Sequence, residues 1–152
     1  MEMLNVRTEK GVILIVFKKP SRSPRFALLK RTKNWEGWEV PKGHLEDDDF
    51  RETVKLELRE ETGIEEDEIK EIQDIESSVE WSYKDDGEEV EKEYRAYIVE
   101  VEDSTLVDTD ENPHDEHEKG HFLNYNDAHT LLTYEDQKKL LEQARDIIEE
   151  NN

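Results

Sequence analysis

Pro41-Lys42-Gly43-His44-Leu45-Glu46-Asp47-Asp48-Asp49-Phe50-Arg51-Glu52-Thr53-Val54-Lys55-Leu56-Glu57-Leu58-Arg59-Glu60-Glu61-Thr62-Gly63-Ile64 is the most informative stretch of this 152-residue chain. Asp47, Asp48 and Asp49 offer an N-cap and first-turn carboxylates, and Gly63 offers a left-handed C-cap, so the residues between predict a helix from Phe50 to about Thr62. Glu57, Glu60 and Glu61 stand at i, i+3 and i+4 on it. At about 100° per residue, Glu60 and Glu61 fall within about 60° of Glu57. Val54 and Leu58 flank this acidic face on one side and Leu56 on the other, while Arg51, Glu52, Lys55 and Arg59 take the opposite, solvated face. Three carboxylates between apolar flanks repel one another, and the helix places no cation among them. A divalent ion would relieve the repulsion. With oxygen donors only and no cysteine in the chain, the ion selected is hard, Mg²⁺ or, as a substitute, Mn²⁺. Solvated glutamates on a Glu-rich helix are the plainer reading of the spacing alone.

Outward from this helix the pattern alternates. Gly11-Val12-Ile13-Leu14-Ile15-Val16-Phe17 is an apolar, β-branched run expected as a central strand buried on both faces. Arg25 to Arg31 predicts a second strand, and Trp38-Glu39-Val40 a short one stopped by Pro41. Ile69 to Trp81 and Glu93 to Val101 predict two strands of a hairpin turning at Lys84-Asp85-Asp86-Gly87. Asp103 to Lys119 reads as an acidic loop, Gly120 to Leu123 as a last short strand, and Asp136 to Glu150 as an amphipathic helix with Leu140, Leu141, Ala144, Ile147 and Ile148 on one face. Neither a repeat nor a linker interrupts residues 1–152, so one domain is expected, an α/β (α+β) fold with a mixed sheet flanked by helices.

Composition narrows the function. Asp and Glu number 42 against 21 Lys and Arg, for a net charge of −21. Such a charge disfavours a broad grip on nucleic acid or anionic lipid, and requires cations wherever an anionic substrate binds. It also fits salt adaptation of the kind halophilic proteins show. The sequence has no membrane-helix stretch and no secretory apolar segment, from which a cytoplasmic location is expected. The absence of cysteine rules out disulfides and thiolate sites.

The stretch from Gly43 to Ile64 resembles the Nudix box, G-x5-E-x7-R-E-U-x-E-E-x-G-U with U aliphatic. Glu57-Leu58-Arg59-Glu60-Glu61-Thr62-Gly63-Ile64 matches its second half and Gly43 its opening. Two departures stand out. Gly43 and Gly63 are one residue too close, and, aligned from the C-terminal end, the first pattern glutamate is Asp48 and the pattern arginine, which in the family braces the carboxylates, is Leu56. Trp38-Glu39-Val40-Pro41-Lys42-Gly43-His44-Leu45-Glu46 is similar to the W-x-x-P-K-G-H-x-E string of asymmetric diadenosine tetraphosphate hydrolases. Glu116-His117 is similar to a Glu-His pair of the same subfamily.

The resemblance implies a Nudix-type mixed sheet sandwiched between helices, and a metal-dependent pyrophosphohydrolase in which water attacks a phosphorus. It assigns Glu57, Glu60, Glu61, Glu116 and a carbonyl near Gly43 to Mg²⁺, with Glu57, Glu60 and Glu116 as the catalytic set and Glu116 as candidate base. Lys42, His44, Tyr83, Lys84 and Lys92 would contact the substrate, Tyr83 by stacking on a base. Trp35, Trp38 and Trp81 are expected as core or strand residues. The implied partner is a small nucleotide polyphosphate such as diadenosine tetraphosphate, cleaved to ATP and AMP. RNA 5′-pyrophosphate removal, hydrolysis of another nucleoside polyphosphate, or nucleotide binding without cleavage are the alternatives. The preferred nucleotide, the number of metals and the oligomeric state are not encoded in these motifs.

Overall fold

The computed structural model describes residues 6–33, 35–109 and 117–151. Seven strands are described, β1 (Val6–Lys18), β2 (Arg25–Arg31), β3 (Gly37–Glu39), β4 (Lys42–His44), β5 (Ile69–Asp85), β6 (Glu88–Val101) and β7 (His117–Asn124), and they form one mixed sheet. The helices are α1 (Phe50–Thr62), α2 (Tyr125–Leu131) and α3 (Glu135–Glu150).

Strand β1 organises the sheet. It runs parallel to β6 from Val6–Glu89 to Phe17–Glu100, antiparallel to β4 from Gly11–His44 to Ile13–Lys42, and meets β2 antiparallel at Phe17–Phe26. Its apolar run separates by the two-residue period of a strand. Ile13, Ile15 and Phe17 enter a core with Leu140, Leu141, Ala144 and Ile148 of α3, while Val12, Leu14 and Val16 enter a second core with Val54 and Leu58 of α1. Full burial of each such side chain is worth about 1.5–3 kcal/mol. The expected two-face burial and the sheet between helices are therefore what the chain forms.

The ends of α1 follow the capping chemistry of the sequence. Asp49 accepts the Glu52 amide at 3.0 Å, and Gly63 sits at φ 74° with its amide on the Arg59 carbonyl. In the loop before the helix, Asp47 and Asp48 are both left-handed, at φ 52° and 55°, a conformation that aspartate tolerates better than most residues.

Several elements differ from the expectations, β1 among them, which begins at Val6 rather than Gly11. The short strand ends at Glu39, and a further strand, β4, follows Pro41 because its residues 42–44 borrow a ladder from β1. The hairpin is longer, reaching Asp85 and resuming at Glu88, since cross-strand pairing sustains charged residues that periodicity alone does not mark. Strand β7 begins at His117, inside the expected loop, by pairing with Arg31. Helix α2 was not expected; Asn124 caps it by accepting the Asp127 amide at 2.9 Å.

Candidate active site

Strand β4 turns its residues alternately to the two sides of the sheet. Gly43 faces α1. A Cβ placed there would lie 1.9 Å from Cδ of Glu57, so only glycine lets the Glu57 carboxylate rest against this strand. Glu57 is 6% exposed and Glu61 5%, although Arg51, Glu52 and Arg59 of the same helix are solvated. Glu60 is half-buried beside them and Arg59 is exposed, as the helical arithmetic requires. Burial, then the charges of Glu61, Glu60 and Glu46, push the Glu57 carboxyl up to about 8. Among the described residues no hydrogen bond or ion pair reaches it.

Glu61 differs. Its Oε2 lies 3.2 Å from Nδ1 of His117, whose Nε2 is 3.0 Å from Oε2 of Glu39. Arg31 reaches the same Glu39 oxygen at 3.5 Å, and Lys42 takes Oε1 at 3.1 Å. Burial opposes charge on His117, but its hydrogen bonds and the charges of Glu39 and Glu61 prevail and raise it to about 9. Burial likewise works against the Glu39 carboxylate, and His117 and Lys42 overcome it, holding the carboxyl below its ordinary range.

Lys42 and His44 project to the other side of β4, toward the hairpin. The Lys42 ammonium stands 5.5 Å from the Trp81 ring centre. A cavity of about 190 Å³ opens here, lined by Lys42, Trp81, Tyr134, Asp136 and Gln137 over the floor of Ile13 and Val79. His44 Nε2 lies 3.0 Å from Nζ of Lys92, which also pairs with Glu9 and holds that carboxyl low. Tyr83 is 44% exposed with its ring 6.0 Å from the Lys92 ammonium. Lys84 is exposed, and the strand period puts it on the opposite face of β5 from Trp81 and Tyr83. The structure thus brings Lys42, His44, Lys92 and Tyr83 to one side and leaves Lys84 apart. Glu116 lies outside the described residues.

As the side chains stand, no three His, Cys, Asp or Glu among the described residues are grouped closely enough to hold a metal ion. The donor chemistry nevertheless fits a hard divalent cation. Glu57 is a buried carboxyl with Glu46, Glu60 and Glu61 around it, all donors are oxygens, and among the described residues no cation is paired with Glu57 itself.

Sequence reasoning passed over Glu39 and Tyr134; Trp81, expected as a core or strand residue, lies on β5, half-buried against the core, and also lines the cavity. Glu39 had a weak signal, an acidic residue at a strand position between Trp38 and Val40. Trp81 lies two residues before Tyr83, on the same face of β5 and further from the turn. His117 was noted only for its likeness to a Glu-His pair.

A family model for the NUDIX domain matches residues 7–144. No curated protein matches the chain in sequence. Among solved structures, a C. elegans Ap4A hydrolase in a binary complex superposes with a TM-score of 0.72 at 19% identity, covering 92% of this chain and 97% of the other. The E. coli dihydroneopterin triphosphate pyrophosphohydrolase gives 0.68 at 15% identity over 90% and 96%. The NUDIX domain of Shewanella oneidensis NrtR, complexed with ADP ribose, gives 0.67 at 15% identity over 97% and 90%.

Proposed function

The chain belongs to the Nudix hydrolase family, and from that premise we propose that it is a Mg²⁺-dependent pyrophosphohydrolase acting on dinucleoside polyphosphates such as diadenosine tetraphosphate. The observation that carries this reading is the juxtaposition across β4. Gly43 carries the acidic face of α1 on one side, and Lys42 borders an aromatic cavity on the other.

In this reading Glu57, Glu60 and Glu61, with a carbonyl near Gly43, hold the cation, and Glu116 is the further ligand or general base. Bound there, the ion would neutralise phosphate charge and polarise the phosphorus centre. The chain's own residues do the positioning. Trp81 and Tyr134 offer ring faces to a nucleobase, a contact worth about 1–3 kcal/mol per base. Lys42, between that cavity and the carboxylates, draws the polyphosphate across. Lys92 and His44 lie where a longer phosphate chain or a second nucleoside would pass. The acidic surface disfavours long RNA unless salt screens it. The architecture of the Ap4A hydrolase neighbour supports the reading at the level of fold.

The test is a nucleotide panel with Mg²⁺, run from low salt to molar KCl, with products separated by ion-exchange chromatography. Diadenosine tetraphosphate should yield ATP and AMP, and Glu60→Gln should lower turnover at least 100-fold. Failure to form ATP and AMP from that substrate at any salt concentration refutes the substrate assignment. Full activity in Glu60→Gln refutes the ligand assignment.

A further inference from the structure

At the corner where β2, β3 and β7 adjoin, a line of buried charge crosses the protein. The side chains of Glu39, His117 and Glu61 are 2, 4 and 6% exposed. They come from three separate elements, the end of β3, the start of β7 and the last turns of α1. The imidazole stands between the two carboxylates with one ring nitrogen toward each, at 3.0 Å and 3.2 Å. Strand pairing fixes its place, since His117 sits opposite Arg31 on β2, and Arg31 itself reaches Glu39.

Buried ion pairs are a costly way to hold elements together, and apolar side chains of similar volume commonly do so as well or better. What such a triad provides is a fixed orientation. Of the two most buried carboxylates on α1, Glu57 has no cation paired with it among the described residues, whereas Glu61 is held by His117. The helix supplies no cation to that face. Its Lys55 is engaged by Glu52 and Glu66 on the outside, and its Arg59 is solvated. The position where a basic residue could have preceded Glu57 is Leu56.

We propose that His117 is a positioning residue that holds the Glu61 carboxylate in the orientation a divalent cation requires, and ties it through Glu39 to Lys42. The metal-facing helix and the phosphate-facing strand then share one frame. Because Lys42 binds the second oxygen of Glu39, a shift of the imidazole is felt on both sides of β4. The proposal rests on the reading of Glu57, Glu60 and Glu61 as the cation face. Outer residues that orient metal ligands in this way typically influence affinity 10- to 100-fold.

The experiment measures Mn²⁺ binding to the nucleotide-free protein by electron paramagnetic resonance, in wild type, His117→Ala and Glu39→Gln. Circular dichroism and thermal melting establish that each is folded. Mn²⁺ should bind at least tenfold more weakly to His117→Ala and roughly three- to tenfold more weakly to Glu39→Gln. In turnover assays the Mg²⁺ concentration for half-maximal rate should rise in parallel, while the nucleotide KM at saturating Mg²⁺ stays within about threefold of wild type. A role confined to packing would lower the melting temperature and leave the Mn²⁺ affinity of the folded protein unchanged. Affinity within twofold of wild type in folded His117→Ala overturns the proposal, and if that variant does not fold, the same result in Glu39→Gln overturns it. Wild-type protein that binds no Mn²⁺ overturns the cation-face reading itself, a distinguishable failure.

Discussion

Replacing Glu57 by glutamine probes the charge on the acidic face directly. The side chain keeps its volume against Gly43, and only its ability to ionise is lost. In the folded protein this carboxyl takes its proton at about 8, against 4.5 when unperturbed. Below pH 4.5 it is neutral folded and unfolded. Between 4.5 and 8 the unfolded chain releases the proton and the folded one keeps it, so rising pH favours unfolding, by about 1.4 kcal/mol per pH unit. The ceiling is about 5 kcal/mol, and the solvent that still reaches the acidic face halves it to about 2–3 kcal/mol.

Metal-free Glu57→Gln should therefore match wild type near pH 5 and exceed it by about 2–3 kcal/mol at pH 9. For a chain of this length that is a difference of roughly 5–10 °C in Tm. The assay is urea and thermal denaturation in EDTA across that range. Adding Mg²⁺ at about 100 times its Kd should stabilise wild type by about 2.7 kcal/mol and Glu57→Gln by far less. A variant that is less stable than wild type at pH 9 in EDTA, or a difference that does not change with pH, would refute the account of this face.

Gly43→Ala forces a methyl group into the Glu57 carboxylate; it should cost about 1–3 kcal/mol by overpacking and abolish Mn²⁺ binding, read by denaturation and resonance titration. Trp81→Ala should raise the KM for a dinucleoside polyphosphate roughly 5- to 100-fold with little change in kcat, and an unchanged KM would remove Trp81 from the substrate site. His117, raised from 6.5 to about 9, should contribute stability that is complete below pH 6.5 and lost as pH climbs through 9. Urea midpoints of wild type should accordingly fall more steeply between pH 7 and 10 than those of His117→Ala.

The sequence made the helix Phe50–Thr62 legible almost to the residue, because Asp49 and Gly63 are local signals whose capping bonds form within one turn. The double-sided burial of Val12 to Phe17 was legible for the same reason, a composition that only a sheet covered on both faces accommodates. Strand β4 was not, since Lys42-Gly43-His44 has no strand character of its own and takes its ladder from β1. The acidic face could be read from helical spacing, but the partner of Glu61 could not. His117 arrives from β7, and Glu39 from β3, expected only as a short strand stopped by Pro41. The strand placement of Trp81 was legible, but the cavity it lines was not, because Tyr134 reaches it from the far end of the chain.

Strand β1 also sets the order in which the chain can assemble. Val6 must wait for Glu89, and Phe17 for Glu100, before the parallel ladder exists, so the most apolar segment is synthesised long before its main partner. Contacts of such sequence separation make folding slow and expose a β-prone segment to intermolecular pairing while it waits. Mutual repulsion among nascent chains rich in aspartate and glutamate opposes that pairing. The same carboxylates that complicate the binding of a polyphosphate would then act earlier, as a kinetic guard over an unfinished sheet.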